Sequence, residues 1–312
     1  MTTPRPTAPE GAQRMPTEPE LERSGPDLAP AIQQRALDVS GTRVIGLPQV
    51  HDLADRKGPF HSTAERSRAI RAVEIAALEM GVVPTRYLPN LGTIGAAGQI
   101  QLLRSRVAIV GLGGLGGYVA EALARMGVGA LVLIDGDLFE ETNLNRQLLC
   151  TERQLGIDKV RAACSRVGAV NAAVEAIGHT QVVTRENLPT LLRGADVLVD
   201  AVDRLPTRLV LQDGAQALGI PMVHGGIAGF LGQATTVFPD DLGLRALYGD
   251  GDQLPEQGLE AVLGTPAATP MAVAAWEAQE VVKILTGRGA PLRQRLLVID
   301  MESGTVQTVQ LG

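Results

Sequence analysis

The stretch SRVAIVGLGGLG, from Ser105 to Gly116, decides the fold. Arg106–Val110 (RVAIV) is a β-type run, apolar after its arginine, the pattern of a buried strand. Gly111, Gly113, Gly114 and Gly116 form a turn into an amphipathic stretch, Gly117–Met126, with Val119, Ala122, Leu123 and Met126 on one face. Glycines between a strand and a helix let the backbone approach a phosphate or ribose. The helix N-terminus adds a partial positive charge. A second apolar run, Leu131–Ile134, ends at Asp135, 19 residues past Gly116. An acid there can accept hydrogen bonds from ribose hydroxyls.

The rhythm continues outward. The pattern predicts a helix over 158–171, a strand within Val174–Val183, another at Asp196–Val199, a helix over Pro206–Leu218 and a strand at Pro221–Val223. Alternating strands and helices imply βαβ units and a largely parallel sheet. Past His224 the character changes. Gln233–Phe238 reads as a strand and residues 239–267 as a long loop. Thr269-Pro270 starts a helix that stops at Gly287, and Arg295–Asp300 with Thr305–Gln310 reads as a hairpin. The expected architecture is α/β: a Rossmann-like, mostly parallel sheet flanked by helices, with a C-terminal antiparallel extension.

Upstream, residues 1–30 hold seven of the 19 prolines and read as a disordered tail. Residues 31–85 read as a small helical appendage, with a helix over 63–80 started by a capping box at Ser62 and Glu65. Residues 86–312 make up the main domain.

Composition narrows the function. The chain has 312 residues, a formal net charge of −6 and 3% aromatic residues. Base-stacking platforms need aromatics and phosphate backbones attract basic proteins, so nucleic acid is disfavoured as a partner. There is no apolar run of about 18 residues for a membrane span, and the opening residues carry no signal core. A cytoplasmic protein is expected. Cys150 and Cys164 are the two cysteines, too few for a four-cysteine zinc site, and the four histidines are scattered.

The residues after Asp135 bear on which nucleotide binds. Arg146 and Lys159 follow within the next turn and helix. A hydride-transfer cofactor has no special need for two such cations beside its diphosphate. An ATP triphosphate does, because charge builds on the α-phosphate and on leaving pyrophosphate. Asp200 and Asp203 then follow another strand, where a carboxylate can hold Mg²⁺.

With these motifs the sequence resembles the ThiF/MoeB/HesA family, bacterial relatives of ubiquitin-activating enzymes. The matching stretches are Arg86-Tyr87, Gly98-Gln99, Ser105–Gly116, LIDGDLFEETNLNRQ (Leu133–Gln147), Lys159, VDAVDRLPTR (Val199–Arg208), GQATTVF and the helix ending KILTG. The resemblance implies ATP-dependent adenylation of the C-terminal glycine of a small ubiquitin-like sulfur carrier ending in Gly-Gly, by a homodimer. It places Gly111, Gly113, Gly114, Gly116, Asp135, Asn143, Arg146 and Lys159 on the nucleotide. Arg146, Lys159 and Asp203 would be catalytic, Asp203 would hold Mg²⁺, and Arg208 stands near the site.

The sequence departs from the family in three places. The cysteine pairs that hold zinc in many relatives are missing, so no zinc site is expected. The 239–267 loop holds no cysteine for thioester transfer, which implies an enzyme that stops at the acyl-adenylate. The family's segment after Arg86-Tyr87 carries a second Arg that reaches the partner's ATP; here that position is Pro89, with Arg86 and Arg104 as nearby cations. Alternative readings are an adenylating enzyme acting on a tRNA base or a peptide, a nucleotide-binding pseudoenzyme, and an NAD(P)-dependent dehydrogenase.

Overall fold

A computed structural model describes residues 28–249, 254–256 and 258–311. The tail expected at 1–30 lies outside the described residues up to Asp27; Leu28 already opens helix α1 (Leu28–Arg35). The segment that follows is more than helical. Strands β1 (Leu37–Val39) and β2 (Thr42–Ile45) form a hairpin, followed by helices α2 (Leu47–Asp55) and α3 (Thr63–Glu79). Strand β3 (Val83–Pro84) then pairs parallel with β2, with Ile45 opposite Pro84. These strands are two to four residues long, too short to print a period in the sequence. Ile32, Ile45, Val50, Leu53, Ile70 and Val73 make a local core that also takes in Ala173 of the main domain.

Helix α3 starts as its sequence predicts, with Ser62 Oγ accepting from Glu65 N at 3.1 Å. The reciprocal half of the box is displaced by one residue, because Glu65 Oε2 accepts from His61 N. A 3-10 turn, Thr85–Asn90, leads into α4 (Leu91–Arg104). The sequence pattern marks no element here, and Gly92, Gly95 and Gly98 weaken helix propensity. The helix bends at Gly95 (φ +68°), and tertiary contacts hold it. Ile94, Leu102 and Leu103 are buried, and Gln99 accepts from Asn90 Nδ2 and donates to Met126 O.

The main domain continues through β4 (Arg106–Val110), α5 (Gly116–Met126), β5 (Ala130–Asp135), α6 (Lys159–Val170) and β6 (Glu175–Thr180). Then come α7 (Leu188–Leu191), β7 (Val197–Asp200), α8 (Leu205–Leu218), β8 (Met222–Ala228) and β9 (Leu231–Val237). The expected 239–267 loop holds two short helices, α9 (Arg245–Tyr248) and α10 (Glu260–Leu263). Helix α11 (Ala268–Thr286) and the hairpin β10 (Arg295–Asp300) and β11 (Thr305–Gln310) complete the chain.

One eight-stranded sheet runs β11-β10-β9-β8-β7-β4-β5-β6. From β8 to β6 its pairs are parallel, and from β8 outward they are antiparallel. This is the expected α/β architecture. The strand order reverses at β4: the chain runs outward to β5 and β6, then returns to place β7 on the other side of β4. Open α/β sheets bind ligands at such a switch point, beyond the carboxyl ends of the strands. Strand β8 runs further than Pro221–Val223, through Gly225-Gly226. A Cβ on Gly225 would lie 2.5 Å from the Glu277 carboxyl carbon, so glycine here admits α11 against the strand instead of breaking it. Among the described residues no helix is long and apolar enough to cross a membrane.

Candidate nucleotide site

A cavity of about 500 Å³ opens at the switch point. Gly111, Gly113, Gly114, Asp135, Asp137, Arg146, Gln147, Lys159, Asp203 and Arg208 stand in its wall. Two glycines of the turn are sterically obligatory. Gly111 has φ +89°, and a Cβ on it would meet Ala201 O at 2.5 Å; one on Gly116 would meet Gly111 O at 1.8 Å. Gly113 and Gly114 meet nothing closer than 3.5 Å and face the cavity.

Asp135 closes the turn. Its Oδ2 accepts from Leu112 N at 2.7 Å and its Oδ1 from Asp137 N at 2.8 Å. Burial pushes this carboxyl up, against the opposing pull of Lys159 and of the two backbone donors. Lys159, the first residue of α6, is buried; its Nζ lies 2.8 Å from Asp137 Oδ2 and 3.9 Å from Asp135 Oδ2. Arg146 donates from Nη1 to Thr142 O and Asn145 Oδ1, both at 2.9 Å. The structure thus brings Arg146, Lys159 and Asp203 to one cavity from three separate segments.

Two residues assigned to the nucleotide from sequence stand away from the wall. Asn143 is buried, and its Oδ1 accepts from Glu140 N to cap a 3-10 turn that sets up the Arg146 segment. Gly116 serves the contact between turn and helix. The cations near Pro89 are also engaged elsewhere: Arg86 donates to Asn171, and Arg104 pairs with Glu79. Neither lines this cavity of its own chain.

Behind Asp203 lies a buried polar group that the sequence did not disclose. His224 Nδ1 is 2.8 Å from Asp200 Oδ2, and both side chains are fully buried. Arg208 Nη1 is 3.2 Å from His224 Nε2 and donates to Gly225 O, while its Nη2 donates to Val202 O at 2.8 Å. With Nδ1–H donated to Asp200, a neutral His224 leaves Nε2 as acceptor for Arg208. Burial and Arg208 hold the imidazole below its usual range, against the pull of Asp200. Glu277 on α11 is fully buried, with neither oxygen bonded among the described residues. Burial drives its carboxyl well above the usual range, reinforced by Asp200 and opposed by Arg208. Arg208 thereby fixes the peptide preceding Asp203. The only sequence signals were an acid at the end of β7 and a histidine before two glycines.

The long loop folds back over the site. Glu260, Ala261 and Thr265 reach the wall, Asn145 donates to Thr265 O, and Gly229 N donates to Gly264 O. Cys150 and Cys164 are not in the wall, and burial pushes both thiols up, away from nucleophilic thiolates. Among the described residues no three His, Cys, Asp or Glu side chains form a metal-binding group.

A SAMP-activating enzyme E1 from Haloferax volcanii is 39% identical over 219 residues, covering 69% of this chain and 80% of that protein. The sulfur carrier protein ThiS adenylyltransferase of Bacillus subtilis is 36% identical over 197 residues, 62% of this chain and 58% of that protein. The MOCS3 adenylyltransferase and sulfurtransferase of Mus musculus is 33% identical over 71% of this chain, which spans about half of that relative's length. Among solved structures, the E. coli microcin C7 enzyme MccB with ATP superposes with a TM-score of 0.64 at 19% identity, covering 82% of this chain and 81% of that one. PaaA superposes with a TM-score of 0.59 at 23% identity, over 85% of this chain and 81% of that one. Residues 86–312 match the ThiF family, and the chain belongs to it.

Proposed function

We propose that this chain is an ATP-dependent adenylyltransferase that activates the C-terminal glycine carboxylate of a small ubiquitin-like sulfur carrier ending in Gly-Gly. The observation that carries this reading is the convergence of Arg146, Lys159 and Asp203 on the glycine turn at one cavity. Membership of a family whose named relatives activate SAMP and ThiS supports it.

The carrier carboxylate attacks the α-phosphorus of ATP, one P–O bond breaks, and pyrophosphate leaves with the electron pair. An acyl-adenylate remains. The backbone N–H groups of the glycine turn and the start of α5 favour the phosphates. Asp135 faces the ribose. Arg146 and Lys159 balance the charge that builds on the α-phosphate and the leaving pyrophosphate. No protein nucleophile is needed, so rate comes from placement and preorganised charge. Asp203, exposed in the cavity wall between β7 and α8, suits Mg²⁺, which binds through few carboxylates plus phosphates. When bound, the ion supplies charge neutralisation on the phosphate oxygens.

Exchange of labelled pyrophosphate into ATP tests the reading, with purified carriers ending in Gly-Gly as the second substrate. Carrier-dependent exchange supports it; ATP binding without exchange for any carrier would make the chain a nucleotide-binding relative. A second reading keeps the adenylation and takes a peptide carboxylate. It is motivated by MccB, whose fold is shared over 83% of this chain and whose solved complex holds N-formylated MccA. Exchange with a free peptide but not with a folded carrier would select it.

A further inference from the structure

A second cavity, of about 290 Å³, lies in the N-terminal unit and shares no wall residue with the nucleotide cavity. It sits beyond the carboxyl ends of the parallel pair β2 and β3. Ile45, Leu47, Val50 and Pro84 give it an apolar lining, and Glu74 and Arg86 place opposite charges in it. Glu74 is 1% exposed. Its Oε2 accepts from Tyr87 OH at 2.9 Å, while its Oε1 has Arg86 Nε 3.9 Å away, beyond hydrogen-bond reach. Arg86 Nη1 donates to Asn171 Oδ1. Helix α2 begins at this cavity with Gly46 as its N-cap; Pro48 in its first turn has no N–H, and no N-cap side chain bonds the N–H groups of Leu47 and Gln49.

A carboxyl and a guanidinium side by side in an apolar pocket, each with bonding capacity left over, are costly to bury and match a ligand with both charges. The volume stands at the lower end of the ~300–1,000 Å³ range of ligand pockets, which suits a molecule of about ten heavy atoms and not a nucleotide. We propose that this cavity binds a free α-amino acid with an apolar side chain. The α-ammonium would pair with Glu74, the α-carboxylate with Arg86 and the Leu47 N–H at the start of α2, and the side chain with Ile45, Leu47 and Val50. Burial raises the Glu74 carboxyl, and an ammonium in contact would draw it back to the ionised form. The proposal does not rest on the adenylation reading.

Titration calorimetry of the full chain tests it, with L-leucine and L-methionine as probes and 4-methylpentanoate and isoamylamine as analogues lacking one charge. Both amino acids are expected to bind, and each analogue to bind at least about tenfold more weakly, the loss typical of one charged hydrogen bond. Glu74→Gln, which preserves the shape and an acceptor for Tyr87, should weaken leucine by a similar factor. Leu47→Trp, at a half-exposed wall position, should block the pocket without disturbing the core. Saturating ATP should leave leucine binding in place. Absence of binding at about tenfold above a millimolar Kd, equal binding of the single-charge analogues, unchanged binding in either variant, or competition by ATP would each overturn the assignment.

Discussion

Lys159 Nζ and Asp137 Oδ2 are 2.8 Å apart, and the pair spans the wall of the nucleotide cavity from the first turn of α6 to the start of the loop after β5. The two side chains differ sharply in setting: 9% of Lys159 is exposed against 71% of Asp137. The lysine is thus held in the wall by the fold, and the aspartate is a solvated partner that a triphosphate can replace. Lys159→Ala should cost roughly a hundredfold or more in pyrophosphate exchange, the scale of removing one charge stabiliser of a transition state. Asp137→Asn should keep most of the activity. Steady-state exchange rates with a saturating carrier check both, and full exchange in Lys159→Ala would remove Lys159 from the site.

The glycines of the turn should separate into two classes. Gly116→Ala forces a Cβ to within 1.8 Å of a backbone carbonyl, and Gly111→Ala adds a positive φ to a 2.5 Å clash. Each should lower stability by at least the 1–3 kcal/mol typical of overpacking. Gly113→Ala has 3.5 Å of clearance and should fold normally while weakening ATP binding. Thermal unfolding with and without ATP reads both effects.

Arg208 should prove a positioning residue for Asp203. Arg208→Ala leaves the carbonyls of Val202 and Gly225 and the His224 ring without their buried donor, at a cost of about 1–3 kcal/mol for each group left unsatisfied. Arg208→Lys keeps the charge but loses the two-pronged hold on Val202 O and Gly225 O. The Mg²⁺ concentration needed for half-maximal exchange should rise several-fold in Arg208→Lys, with ATP affinity in the absence of Mg²⁺ unchanged. A purely structural role would lower stability and leave the Mg²⁺ dependence as it was.

Glu74 makes stability depend on pH. Burial raises its carboxyl from 4.5 to about 7, partly offset by Arg86, Tyr87 and Arg71. Between these values the folded chain keeps a proton that the unfolded chain releases, so this group's contribution falls as pH rises from about 4.5 to 7. The loss reaches about 3 kcal/mol above pH ~7, where both states are ionised. Glu74→Gln removes the titration. Denaturant unfolding at pH 5.5 and 8 should show a smaller difference for the variant than for the parent chain.

Much of the main domain was legible because its signals are local. Arg106–Val110, Leu131–Ile134 and the glycine turn carry strand, turn and helix patterns within a dozen residues, and the C-terminal hairpin is marked by Glu302-Ser303-Gly304. Helix α4 was not legible, since three glycines argue against it and its support comes from buried Leu102, Leu103 and Gln99. The N-terminal strands are shorter than one clear period of alternation. Arg146, Lys159 and Asp203 stand out in the sequence by charge and order, and all three line the cavity. Asn143 has the same polar character but is spent on the Glu140 turn, a distinction that depends on where its side chain points.

The sequence by itself determined the order of strands and helices, the glycine turn, the acids at strand ends and the two cations beyond them. These follow from residue type and spacing along a short stretch of chain. Only the tertiary structure decided that Asp200, Arg208, His224 and Glu277, drawn from two strands and two helices, share one buried cluster behind Asp203. It also decided that Glu74 and Arg86 face a second cavity. Both depend on which groups lose water together, and that is set by packing between segments distant in the chain.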